Sequence, residues 1–98
     1  METENYISIQ QFCVHYNVPI TFITALYDYD LIEIIVINET DWIHNTQIKT
    51  IEKLIRLHYD LNINIEGIDV IYNLLQQVES LQNEITVLNN KLLFHEGH

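Results

Sequence analysis

From Ile71 onward the apolar residues fall at Ile71, Leu74, Val78, Leu81, Ile85, Leu88 and Leu92, in alternating steps of three and four without a slip. This is a heptad seam, with Ile71, Val78, Ile85 and Leu92 at a and Leu74, Leu81 and Leu88 at d. A helix from Glu66 to Phe94 would be about 43 Å long at ~1.5 Å per residue, longer than a domain of this size is wide. Its distal seam therefore has nothing in its own globule to pack on. The simplest cover is the same helix of a second copy, giving a two-fold homodimer. The competing outcome is a helix that folds back on the globule or frays after Asn89-Asn90. β-branched a with Leu at d favours a parallel pair, but the e and g positions Gln77, Gln82, Glu84, Asn89 and Lys91 carry too few charges to set direction. The chain accordingly divides into a globule, residues 1–70, and a C-terminal dimerisation helix and tail, residues 71–98, continuous with it in one domain.

Upstream of the seam, Ser8-Ile9-Gln10-Gln11 reads as a helix start with Ser8 as N-cap, followed by a buried stripe at Ile9, Phe12, Cys13 and Tyr16. Asn17-Val18-Pro19 breaks that helix, and Pro19 suits the first turn of a second one running to about Tyr29, with Ile20, Ile23, Leu26 and Tyr27 inward. Two short helices joined in this way form a helix-turn-helix. The period then changes. Ile34-Ile35-Val36-Ile37 is a β-branched strand, Asn38-Glu39-Thr40-Asp41 a turn, and Trp42-Ile43 the returning strand of a small hairpin, or wing. Asn45 or Thr46 caps a third helix whose inner face is Ile48, Ile51, Leu54, Ile55, His58 and Leu61. Asn64 caps the fourth helix, with Glu66 in its positive first turn. The expected fold is mainly α: a helix-turn-helix with a hairpin wing and a long coiled-coil-like C-terminal helix.

Enzymatic chemistry finds no foothold in this inventory. Cys13 sits in the core stripe, where a free Cys acts as a small hydrophobe, and pairing it with His15 or His58 has no other support. The tail His95-Glu96-Gly97-His98 lacks the i+4 histidine of a helical zinc site. With only two glycines, Gly67 and Gly97, there is no phosphate loop. We therefore expect no enzyme activity, no metal and no cofactor. The lone cysteine, the acidic start Met1-Glu2-Thr3-Glu4-Asn5 without a signal-peptide pattern, and the absence of a long apolar run point to a cytoplasmic, soluble protein with no membrane partner.

Charge then narrows the partner. The chain has 4 basic and 14 acidic residues, a formal net charge of −10, so a polyanion is disfavoured. Three of the four cations, Lys49, Lys53 and Arg56, share one face of the third helix, where Glu52 and Asp60 stand four residues from Arg56 and can pair with it. The acids gather elsewhere: Asp28 and Asp30 at the end of the second helix, Glu33 at the wing entry, Glu39 and Asp41 at its tip beside Trp42. Such a patch steers a basic protein surface toward it. Trp42 is either an apolar anchor for that partner or a plug beneath the wing.

The order helix-turn-helix, wing, two helices and seam, Ser8 to Leu92, resembles the MerR-type winged-helix domain. DNA-binding members carry arginines in the second helix; the corresponding stretch here, Pro19 to Tyr27, has no basic residue. The chain most resembles the CbpM chaperone-modulator family in three places. These are Phe12-Cys13-x-His15, Glu39-Thr40-x-Trp42-Ile43, and Arg56-Leu57-His58-x-Asp60-Leu61-x-Ile63-Asn64-x-x-Gly67-Ile68-x-Val70. That resemblance implies binding to the J-domain of a CbpA-type co-chaperone and inhibition of its cooperation with DnaK; the charge layout offers Asp28, Asp30, Glu33, Glu39 and Asp41 as the complementary surface, with Trp42 as its apolar anchor. The alternatives are a DNA-binding transcription regulator using Lys49, Lys53 and Arg56, and an adaptor for another protein. The run from Arg56 to Val70 also has a purely structural reading, with Leu57, Leu61 and Ile68 in the core, Asn64 as cap and Gly67 allowing close approach.

Overall fold

A computed structural model describes residues 5–96, with side chains through residue 94; residues 1–4 and the side chains of the 95–98 tail, both read above, lie outside the described residues. The chain begins with a strand, β1 (Tyr6–Ser8), which passes directly into helix α1 (Ile9–Tyr16). Ser8 serves both: it ends β1 and caps α1, its Oγ accepting the Gln11 N–H at 3.1 Å. Asn17 stops α1 in the left-handed region, φ 55°, the conformation asparagine tolerates best after glycine.

Helix α2 (Ile20–Asp28) starts one residue later than the sequence suggests, since Pro19 is extended, ψ 151°, and stands just before the first turn. Its buried face is Phe22, Ile23 and Leu26. This corrects the predicted face: Ile20 is 50 % and Tyr27 46 % exposed. Phe22 decides the rotation, because its ring stacks on His58 and tilts against Tyr59 of the facing helix. The link after α2 is also core: Leu31 and Ile32 are buried there.

The wing is a hairpin of β2 (Ile35–Ile37) and β3 (Thr40–His44). Its turn is Asn38-Glu39 alone, with φ 50° and 64°, the two-residue geometry that matches strand twist. Thr40 and Asp41 belong to β3, not to the turn. With β1 the hairpin forms a three-stranded antiparallel sheet, order β1-β3-β2, in which Ile7 faces Ile43 and Ser8 faces Trp42 across one ladder, Ile35 faces Trp42 across the other. Three residues ahead of a helix cap give no alternation to read, which is why β1 is silent in the sequence.

A 3-10 turn (Asn45–Gln47) precedes α3 (Ile48–Tyr59). The predicted caps Asn45 and Thr46 lie inside this turn; the His44 ring does the capping, accepting the Thr46 N–H at 3.1 Å. Helix α3 buries Ile51 and Leu54, with Ile48, Ile55 and Leu57 packed around them. Leu61 falls beyond the end of α3 and is 63 % exposed, so it leaves the predicted face and core. Asn62, φ 57°, reverses the chain, and Asn64 caps the long helix α4 (Ile65–Glu96), its Oδ1 accepting the Gly67 N–H at 2.8 Å. The core gathers Phe12, Ile23, Leu26, Ile43, Ile51, Leu54 and Ile68, all essentially inaccessible. At about 48 Å from ~1.5 Å per residue, α4 projects well past this core, and the molecule extends 58 × 37 × 20 Å.

Candidate protein-binding surfaces

The helix-turn-helix and wing contain no Lys or Arg, since the four cations are Lys49, Lys53, Arg56 and Lys91. Helix α2 shows solvent Ile20, Thr21, Thr24, Tyr27 and Asp28. The Thr24 hydroxyl is turned back on the Ile20 carbonyl at 3.1 Å. This surface carries an acid and no cation, so it lacks the charge that drives phosphate binding.

The sequence-predicted acids do not converge on one spot. Glu39 and Asp41 line a cleft with Ser8, Ile9, Gln10 and Ile20, between the wing tip and the start of both helices of the helix-turn-helix. Asp30, held at φ 58° past the end of α2, and Glu33 line a second hollow with Gln47 and Tyr72. Asp28 is exposed on the last turn of α2. Gln47 clamps the Glu33 backbone from both sides, its Oε1 accepting the N–H and its Nε2 donating to the C=O, each at 2.7 Å. Trp42 is half-buried, and its Nε1 is shielded from solvent without a hydrogen-bond partner among the described residues.

On α3 the stripe Lys49, Lys53 and Arg56 is exposed. Glu52, expected beside Arg56, instead accepts the Tyr16 hydroxyl at 3.0 Å. Lys53 and Glu79 stand at the rim of a groove between α3 and α4, whose floor includes Leu54, Leu57, Tyr72 and Leu75. The Cys13 thiol is buried, and burial pushes its pKa up, which suits a small core hydrophobe rather than a nucleophile. Among the described residues no group of three or more His, Cys, Asp or Glu is placed to hold a metal ion. Nor is any helix long and apolar enough to cross a membrane.

The seam is a long exposed apolar surface. Ile71 is half-buried against the globule, whereas Leu74, Val78, Leu81, Ile85, Leu88 and Leu92 are each between 48 and 63 % exposed. Leu75, at the adjoining e position, widens it, whereas Val87 and Leu93 are exposed at c and b, on sides of the helix turned away from the seam. A continuous exposed apolar stripe of this length marks an interaction surface in a folded protein.

No curated protein and no solved structure matches the chain. The family model described as MerR HTH family regulatory protein matches residues 7–90, from β1 through most of α4. With the helix-turn-helix, the wing and the long terminal helix in their places, the chain belongs to the MerR HTH family of regulatory proteins.

Proposed function

We propose that this MerR-family chain is a non-enzymatic adaptor that regulates by binding protein: a cytoplasmic homodimer that takes the J-domain of a CbpA-type co-chaperone and keeps it from DnaK. The observation that carries the reading is the second helix of the helix-turn-helix, whose solvent face has no cation and ends in Asp28, with Asp30 just beyond it. A duplex is repelled by this face, and a basic protein helix is drawn to it. CbpM-type modulators are members of the same family, and the motif from Arg56 to Val70 favours that branch. The open seam of α4 favours a second copy as its cover.

The test is the pair Asp28→Lys and Asp30→Lys against a purified J-domain. Association should slow by roughly tenfold at low salt and lose most of its salt dependence. In a DnaK ATPase assay the unaltered protein should reduce the J-domain's stimulation. Undiminished capture of the J-domain by the double variant removes the acidic end of α2 from the site.

One observation favours a second reading: Lys49, Lys53 and Arg56 are all exposed on α3. A DNA-binding regulator using them would shift duplex DNA in a gel at low salt, where phosphate-driven binding is strongest.

A further inference from the structure

β2 is an edge strand, because the order β1-β3-β2 leaves its outer side unpaired among the described residues. The two-residue turn makes Ile37 and Thr40 the closing hydrogen-bonded pair, so Val36, opposite Asp41, occupies a position that does not bond to β3. The Val36 N–H and C=O therefore point away from the sheet, and its side chain is 65 % exposed. Apart from the shortness of the three-residue strand, the usual guards of an edge are missing: residues 31–44 contain no Lys and no Pro, and the pairing with β3 runs without a bulge. Such a strand is a template for another.

Charge selects the neighbour. Glu33 and Glu39 stand three positions to either side of Val36. Neither backbone is free to swing aside: Gln47 clamps Glu33 from both sides, and Glu39 is fixed at φ 64° in the turn. If two copies paired antiparallel about Val36, Glu33 of each would face Glu39 of the other at both ends, and like charges directly opposite destabilise a ladder. A strand with cations at those two places is favoured instead. We propose that β2 receives, by strand addition, an extended segment of a protein partner with an apolar core and a Lys or Arg at each flank. Val36 supplies the main-chain hydrogen bonds, and Glu33 and Glu39 read the flanking charges. This surface is separate from the end of α2 and stands whether or not the J-domain reading does.

The experiment titrates the full-length, 15N-labelled protein with two synthetic peptides. Both share a Val-Thr-Val core; one is flanked by paired lysines and the other by paired glutamates. The lysine peptide should shift the β2 amides and slow exchange at the Val36 N–H, and the glutamate peptide should do neither. Val36→Pro, tolerated at an edge position that gives nothing to β3, should weaken the lysine peptide roughly tenfold. The double variant Glu33→Lys, Glu39→Lys keeps the backbone intact and should reverse the preference between the peptides, which tests the proposal even if the proline variant unfolds. Equal binding of both peptides, or no protection at Val36, overturns it. Protection of Val36 that grows with protein concentration and no peptide makes the occupant a second copy and overturns it equally.

Discussion

The Tyr16 hydroxyl donates to the Glu52 carboxylate at 3.0 Å, tying the last turn of α1 to the middle of α3 across 36 positions of sequence. The bond explains why an aromatic ends the α1 stripe: its ring stacks on Phe12 and its oxygen reaches past the core edge to an acid. Tyr16→Phe keeps the stack and removes the donor. It should cost about 1 kcal/mol, the net worth of one such bond, read as a lower urea midpoint at unchanged slope.

A second tyrosine gives the fold a dependence on alkaline pH. The Tyr29 hydroxyl donates to Glu66 at 3.1 Å, joining the end of α2 to the first turn of α4. That bond and the Glu66 charge, with smaller contributions from burial and Asp69, raise the phenol above its ordinary value of 10.0. The folded state thus favours the neutral hydroxyl. The stability it contributes is fully present below the ordinary value and is lost as pH rises through the raised one. Melting temperature should fall more steeply above pH 10.0 in the unaltered protein than in Tyr29→Phe.

How much of this was legible follows from where the physics is local. The Ser8 and Asn64 caps, the α1 stripe and the seam of α4 are set by neighbours within a turn or two, and the sequence displays them. Phe22 was hidden because its burial depends on His58 and Tyr59, which are far along the chain. Leu31 and Ile32 are brought to the core by the reversal after α2, where Asp30 is left-handed and the Leu31 N–H returns to the Leu26 carbonyl at 3.0 Å. β1 exists because β3 has a free edge beside it. For the candidate site, the charge deficit and the acids were plain to read, but their division between two hollows is set by the paths of the Asn38-Glu39 turn and of the chain past Asp30.

Gly67 tests the packing of α4 on the globule. A Cβ there would lie 2.8 Å from Ile63 Cγ2 and 3.0 Å from the Asn64 Oδ1 that caps the helix. Ile63 is β-branched and packed against the core, so its methyl has little room to yield. In an open helix Gly→Ala gains up to about 1 kcal/mol. Here the clash and the disturbed cap should outweigh that gain, and Gly67→Ala should lower stability by about 1 kcal/mol in thermal or urea unfolding. A stabilised variant would mean that the Asn62–Asn64 connection is looser than its hydrogen bonds indicate.

The seam makes the sharpest prediction about assembly. From Asn73 to Phe94 every residue of α4 is exposed, yet six seam residues there are apolar. Left in water, they give the helix nothing to offset the entropy of ordering it, since tertiary burial rather than propensity holds most helices. In the proposed homodimer a second copy supplies the missing burial. The full chain should therefore sediment at 2 × 11.7 = 23.4 kDa and unfold with a midpoint that rises with protein concentration. Ending the chain after Val78 removes Leu81, Ile85, Leu88 and Leu92 while leaving every buried core residue, Ile9 through Ile68, in place. That shortened protein should stay folded by circular dichroism and sediment as a monomer whose midpoint ignores concentration. A full-length monomer, or a shortened chain that still pairs, would place the contact elsewhere on the molecule.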